Sequence, residues 1–216
     1  ARRDTPRSRA AGPAEPPGRA YACAMRTILQ RLLPPTGPAD LDALQALFRP
    51  RTHEKGEVLL AQGGRWDTVY AVESGTLRMH LIARDGKDFN KNFHEAGALV
   101  LPITAEMERE PALFAISALE RSVVWQARVP EFRARLTALG RWEPLRTALL
   151  ERLVGDKLRR EHDLLTLDGT ARYLRLCRER PSLAAKVPVA QLASFLGLTD
   201  VSLSRIRRRL KDRGGD

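Results

Sequence analysis

A net charge of +11 on 216 residues, 43% of them hydrophobic and 29% charged, describes a chain able to bury a core beneath a strongly basic surface. The length suits one large domain or a medium domain with a small one, and the charge favours a polyanionic partner, nucleic acid first. No run approaches the roughly 20 apolar residues of a membrane-spanning helix, no secretory leader pattern opens the chain, and Cys23 and Cys177 are too few for a disulfide framework or a four-thiolate metal site, so a cytoplasmic protein with reduced thiols and no membrane partner is expected.

Residues 1–24 carry Arg, Ala, Pro and Gly with almost no branched aliphatic side chains, a composition that does not offset its ordering entropy; a disordered basic tail is expected there. The chain does not open with Met, and Met25 offers a start, which makes an upstream translation artefact one reading of this tail and a phosphate-gripping arm the other. From Met25 to Phe48, the apolar helical faces Ile28, Leu32, Leu33 and Leu41, Leu44, Leu47, Phe48 flank a Pro/Gly break at 34–38.

Between Thr52 and Arg128 the period changes to two, with turn residues at the spacing of a sandwich or barrel. Strands are predicted over Val58–Ala61, Thr68–Val72, Leu77–Ile82, Phe89–Phe93, Phe114–Ala118 and Ser122–Gln126. Gly56, Gly63-Gly64, Ser74-Gly75, Asp85-Gly86 and Gly97 punctuate them, which suits a compact β-roll.

After Pro130 the period returns to 3.6, and a long helix is predicted from Trp142 to Leu167 with Trp142, Leu145, Leu149, Leu153 and Leu164 along one stripe. A two-fold mate is the simplest partner for that stripe, making Trp142, Leu145, Leu149 and Leu153 the candidate dimer seam of a homodimer. Asp156 and Lys157 interrupt it, and packing on the chain's own β domain is the alternative.

The C-terminal part places Leu174 and Leu176 on one helix, Val189, Leu192, Ala193 and Leu196 on a second, then Gly197-Leu198-Thr199, then Val201, Leu203, Ile206 and Leu210 on a third. Short amphipathic helices joined at a glycine form a helix-turn-helix. Pro188 just precedes the second helix, Gly197 ends it, and Thr199 caps the third. The outward face of that helix offers Arg205, Ser202 and Asp200 for base edges in a major groove, whereas Thr199, Ser204, Arg207, Arg208, Arg209 and Lys211 suit phosphates, with Arg213 beyond them. Double-stranded DNA is the expected partner.

This order resembles the Crp/Fnr superfamily of bacterial transcription regulators: Gly56-Glu57, Gly63, Asp67, Tyr70 to Gly75, Leu77-Arg78, Asp85-Gly86-Lys87, Phe93 and Gly97 in the sensor, then Val189 to Leu196, Gly197-Leu198-Thr199 and Val201 to Ile206. The resemblance implies an α+β architecture: a β-roll (double-stranded β-helix) sensor over 25–136, a dimerisation helix over 137–167 and a helix-turn-helix over 168–216, here expected to lack the family's full wing. It further implies a homodimer, RNA polymerase as a partner, and a small-molecule effector near Gly97, Ala98, Leu99, Arg109, Pro111 and Ala112.

Two departures qualify the resemblance. Cyclic-nucleotide-binding members open their cassette with Gly-Glu and close it with Arg-Ser/Thr-Ala, whereas this chain reads Gly97-Ala98 and Pro111-Ala112-Leu113. Both polar anchors are missing, and Arg109, the candidate substitute, is flanked by competing Glu108 and Glu110. Tight binding of cyclic AMP is therefore not expected. Beyond the third helix only Asp212 to Asp216 remain, too little for a β-hairpin wing.

His53, His80, His94 and His162 have no ligand spacing, so no metal or haem cofactor is expected, and the iron–sulfur branch of the family needs more cysteines. A cupin-like enzyme lacks its clustered ligands here, and no nucleophile-elbow or phosphate-loop motif occurs, so no catalytic residue is assigned. The alternative function is an effector-binding roll that docks a protein without touching DNA.

Overall fold

The computed structural model describes residues 19–33 and 36–213, with side chains for the described residues from Met25 to Asp212. Helix α1 (Arg19–Leu32) starts inside the stretch expected to be a tail, which corrects that boundary; residues 1–18 lie outside the described residues. The physical reason is local: Ala, Arg and Met favour helix, and the fully buried Met25 and Leu29 anchor the segment on the core so that it propagates backwards. Helix α2 (Pro38–Gln45) follows, with Pro38 at its first turn where no amide hydrogen is missed.

Strands β1 (Arg49–His53), β2 (Val58–Leu60), β3 (Thr68–Ser74), β4 (Thr76–Ile82), β5 (Asp88–Glu95), β6 (Leu99–Val100), β7 (Ala115–Ala118) and β8 (Ser122–Arg128) form two antiparallel sheets, ordered β1-β8-β3-β6 and β2-β7-β4-β5. β1, written Arg-Pro-Arg-Thr-His, was not legible as a strand because it lies at a sheet edge, where proline and charge are tolerated. Between β3 and β4, Gly75 turns the chain at φ +83°, and a Cβ there would come within 2.8 Å of the Ser122 Cα. Across β4 and β5, Met79 faces Asn92 while His80 faces Asn90, so Lys91 is the extra residue of a β-bulge.

The space between the sheets is filled by Trp66, Tyr70, Leu77, Met79, Phe114, Ile116 and Val124, with the Trp66 and Phe114 rings edge to face at 5.4 Å. Helix α3 (Ala105–Arg109), capped by Thr104, lies between β6 and β7. The outer face of the β1-containing sheet is covered by α1, α2, α4 (Val129–Ala138) and the start of α5 (Trp142–Thr166). Trp142 (8% exposed) and Leu145 (2%) belong to that intrachain core, with Leu149 and Leu153 packed against it. The expected dimer seam is thus corrected at Trp142 and Leu145, which the nearest sheet and α4 bury, while Leu149 and Leu153 are covered only in part; the large apolar residues that α5 leaves exposed are Val154, Leu158, Leu165 and, contrary to its place in the expected stripe, Leu164.

The C-terminal part comprises α6 (Gly169–Glu179), α7 (Pro181–Lys186), α8 (Val189–Leu196) and α9 (Asp200–Arg213) around Tyr173, Leu176, Leu183, Leu192, Ala193, Leu196, Leu203 and Ile206. Asp168 caps α6 by accepting from the Ala171 amide at 2.8 Å.

Candidate nucleic-acid interface

The bend before α9 is built by two adjacent residues. Gly197 adopts φ +66°, ψ 39°, the left-handed conformation that ends α8, and the Leu198 amide reaches back to the Ala193 carbonyl at 2.8 Å. Thr199 then accepts from the Ser202 amide at 3.2 Å, and its hydroxyl donates to Ser202 Oγ at 2.9 Å. Leu203 and Ile206 turn into the core.

What remains outside is Asp200, Val201, Ser202, Ser204, Arg205, Arg207, Arg208, Arg209 and Lys211, all exposed. Among the described residues none of Arg205, Arg207, Arg208, Arg209 or Lys211 makes an intrachain ion pair, so this face presents uncompensated positive charge. Ser202 and Thr199 spend part of their bonding capacity on the cap. Val201, counted among the apolar residues of this helix, is 59% exposed. Two positions before Leu203 is about 200° around the helix, so Val201 belongs to the outward face. Leu174 is 46% exposed for the same reason, its neighbours Tyr173 and Leu176 taking the inward positions.

The residues expected around an effector are divided. Arg109 and Pro111 line a shallow pocket of about 330 Å³ with Gly63, Arg65, Glu108 and Glu110. Ala112 is buried and exchanges backbone hydrogen bonds with Gly63 and Gly64. Gly97, Ala98 and Leu99 lead into β6, and Arg31 of α1 donates to the Gly97 carbonyl. Glu108 does not compete for Arg109: Arg133 holds it at 2.6 and 2.8 Å, and Arg109 is exposed with no ion pair among the described residues.

Sequence reasoning missed the junction of roll and helix-turn-helix, which no motif marks. Ser194 of α8 accepts from the Asn90 amide at 2.9 Å, Arg180 donates to the Phe93 carbonyl at 2.9 Å and pairs with Glu95 at 3.2 Å, and the Arg160 guanidinium lies 4.5 Å from the Phe195 ring centre. His94 beside them keeps an edge toward solvent, but its Nε2 is sealed with no partner among the described residues, and burial first, then Arg180, Lys91 and Arg152, hold its imidazole down to about 4.

A β-roll joined through a long helix to a helix-turn-helix with a free basic face defines the class of one-chain sensor regulators. The cyclic nucleotide-binding domain model matches residues 50–138. The chain is 34% identical over 106 residues to the transcriptional activator protein Anr of Pseudomonas protegens, a match covering 47% of this chain and 43% of that protein. It is 25% identical over 214 residues to the anaerobic regulatory protein of Haemophilus influenzae, covering 91% of this chain and 81% of that one. FixK2 from Bradyrhizobium japonicum shares the fold, with a TM-score of 0.62 at 18% identity, 77% of this chain and 86% of that one covered. These likenesses are to bacterial transcription regulators of the Anr and Fnr type, and the one to the anaerobic regulatory protein runs through nearly the whole chain. No helix among the described residues is long and apolar enough to cross a membrane.

Proposed function

We propose that this chain is a dimeric, sequence-specific DNA-binding regulator whose β-roll answers to an effector other than cyclic AMP. The observation that carries it is the α9 face, unpaired cations backed by a packed helix-turn-helix. Arg205 reads a base edge, with Asp200, Ser202 and Val201 beside it; Ser204, Thr199, Arg207, Arg208, Arg209 and Lys211 meet phosphates. Two-fold pairing runs along Val154, Leu158 and Leu165 and sets two copies of α9 one helical turn, about 34 Å, apart on the duplex. RNA polymerase contact and a cytoplasmic setting accompany this role, and no catalytic step is assigned. The missing anchors at Ala98 and Pro111 and the occupied roll interior support the exclusion of cyclic AMP.

Fluorescence anisotropy on the upstream DNA of the chain's own gene, at fixed salt, tests the reading. Arg205→Ala should cost roughly 1–3 kcal/mol and relax preference at one position per half-site. Arg209→Ala should instead weaken all duplexes alike and flatten the salt dependence. Absence of any duplex binding would leave the protein-docking alternative.

A further inference from the structure

We propose that Lys91, Lys157 and Arg160 form a binding site for a small phosphate-type oxyanion at the lip of the β-roll, where the sensor, α5 and α8 meet. This names the effector class of the regulator reading and rests on it. The bulge in β5 is the first observation. By inserting Lys91 opposite the step from Met79 to His80, it aims that side chain away from the ladder and toward the roll, with its ammonium 4.3 Å from the Phe114 ring centre and 3.5 Å from the Met79 sulfur.

A cation so placed calls for a counter-charge, because an ammonium withdrawn from water without an anion is costly. Among the described residues no carboxylate pairs with Lys91, whose ammonium lies against the Phe114 ring face and the Met79 thioether. The neighbouring side chains worsen the imbalance. Arg160 donates to the Lys91 carbonyl at 3.5 Å, Lys157 stands exposed one turn earlier on the same helix, and among the described residues neither has a carboxylate partner. His94, three residues further along β5, adds a sealed Nε2 with no partner among the described residues. Burial first, and the charge of Lys157 second, pull the Lys91 ammonium down to about 8, which an arriving oxyanion would reverse. Ammonium donors from two elements and a guanidinium from the side suit a compact, multiply charged tetrahedral anion better than a single carboxylate. Lys157, at the solvent side, is the point of entry.

Lysine-selective 13C NMR at constant ionic strength tests the site, titrating inorganic phosphate in one arm and glycerol phosphate, a monoester, in the other. A saturable shift of the Lys91 Cε resonance in either arm supports the proposal; the tighter arm tells free phosphate from an organic phosphate. Lys157→Gln, at an exposed position, should weaken that binding by about tenfold, and Lys91→Met should abolish it. The double variant Arg208→Gln/Arg209→Gln should bind phosphate unchanged while losing DNA affinity, so the anion site and the DNA reading fail separately. The proposal is overturned by an unmoved Lys91 signal in both arms, by a shift that Lys157→Gln leaves intact, or by an anion-free Lys91 titrating as an ordinary lysine, which would mean a carboxylate of a second copy already neutralises it.

Discussion

Phe195 of α8 stands edge-on to Phe93 of β5, ring centres 5.4 Å apart and planes at 68°, so a residue of the helix-turn-helix and a residue of the sensor share one core cluster. The two parts are therefore mechanically joined by side chains and not only by the covalent run of α5. Anything that repacks this contact re-aims α9, because α8 and α9 are themselves locked by Leu192, Leu196, Leu203 and Ile206.

Phe195→Ala should loosen that joint while leaving both parts folded. The expected cost is about 1–3 kcal/mol, and hydrogen exchange should quicken in β4, β5 and α8 ahead of the rest. Exchange that stays at the parent rate in β5 would show that the contact carries no coupling.

The two faces of α5 should respond oppositely. Leu158→Glu, at a position 61% exposed, should turn a dimer into a folded monomer in sedimentation velocity and remove high-affinity operator binding. Trp142→Ala opens the intrachain core and should lower stability by about 3 kcal/mol or more, with association lost only as the fold is lost. A Leu158→Glu protein of unchanged mass would refute the relocated seam.

Acid should attack the junction through His94. Its folded value near 4 lies below the ordinary 6.5, so the unfolded chain takes up the proton first, and stability present above about pH 6.5 drains away as the pH falls toward 4. Full development corresponds to an effect on the order of 3 kcal/mol. Urea midpoints measured from pH 7.5 to 4.5 should fall more steeply for the parent than for His94→Leu; parallel curves would assign the acid sensitivity elsewhere.

Val201 makes an apolar promontory on an otherwise polar face, and its natural complement in a major groove is the thymine methyl group. Replacing thymine by uracil position by position should reveal one site per half-operator where the parent loses about 1 kcal/mol and Val201→Ser loses nothing. A scan without any such position would confine Val201 to a passive role.

Much of this architecture was legible in the residues themselves. Alternating apolar positions with glycine turns announced the roll, and Gly197, Thr199, Leu203 and Ile206 defined the helix-turn-helix, because each depends on neighbours within one or two turns of chain. The edge strand β1 lacked that local signature, and the two-residue β6 was too short to carry one. The α5 stripe was visible, but periodicity gives a direction and not the identity of what lies there; Trp142 and Leu145 found α4 and the sheet. Lys91 was beyond reach, since its orientation arises from a bulge against a strand and from a helix more than sixty positions later in the chain.

With Trp66 and Phe114 interlocked in the middle of the roll, chemical inhibition here becomes a different task from competing with a nucleotide. A purine-shaped compound would have to evict two aromatic rings before gaining a contact, so selective probes for this regulator are better sought as ligands of its outer rim.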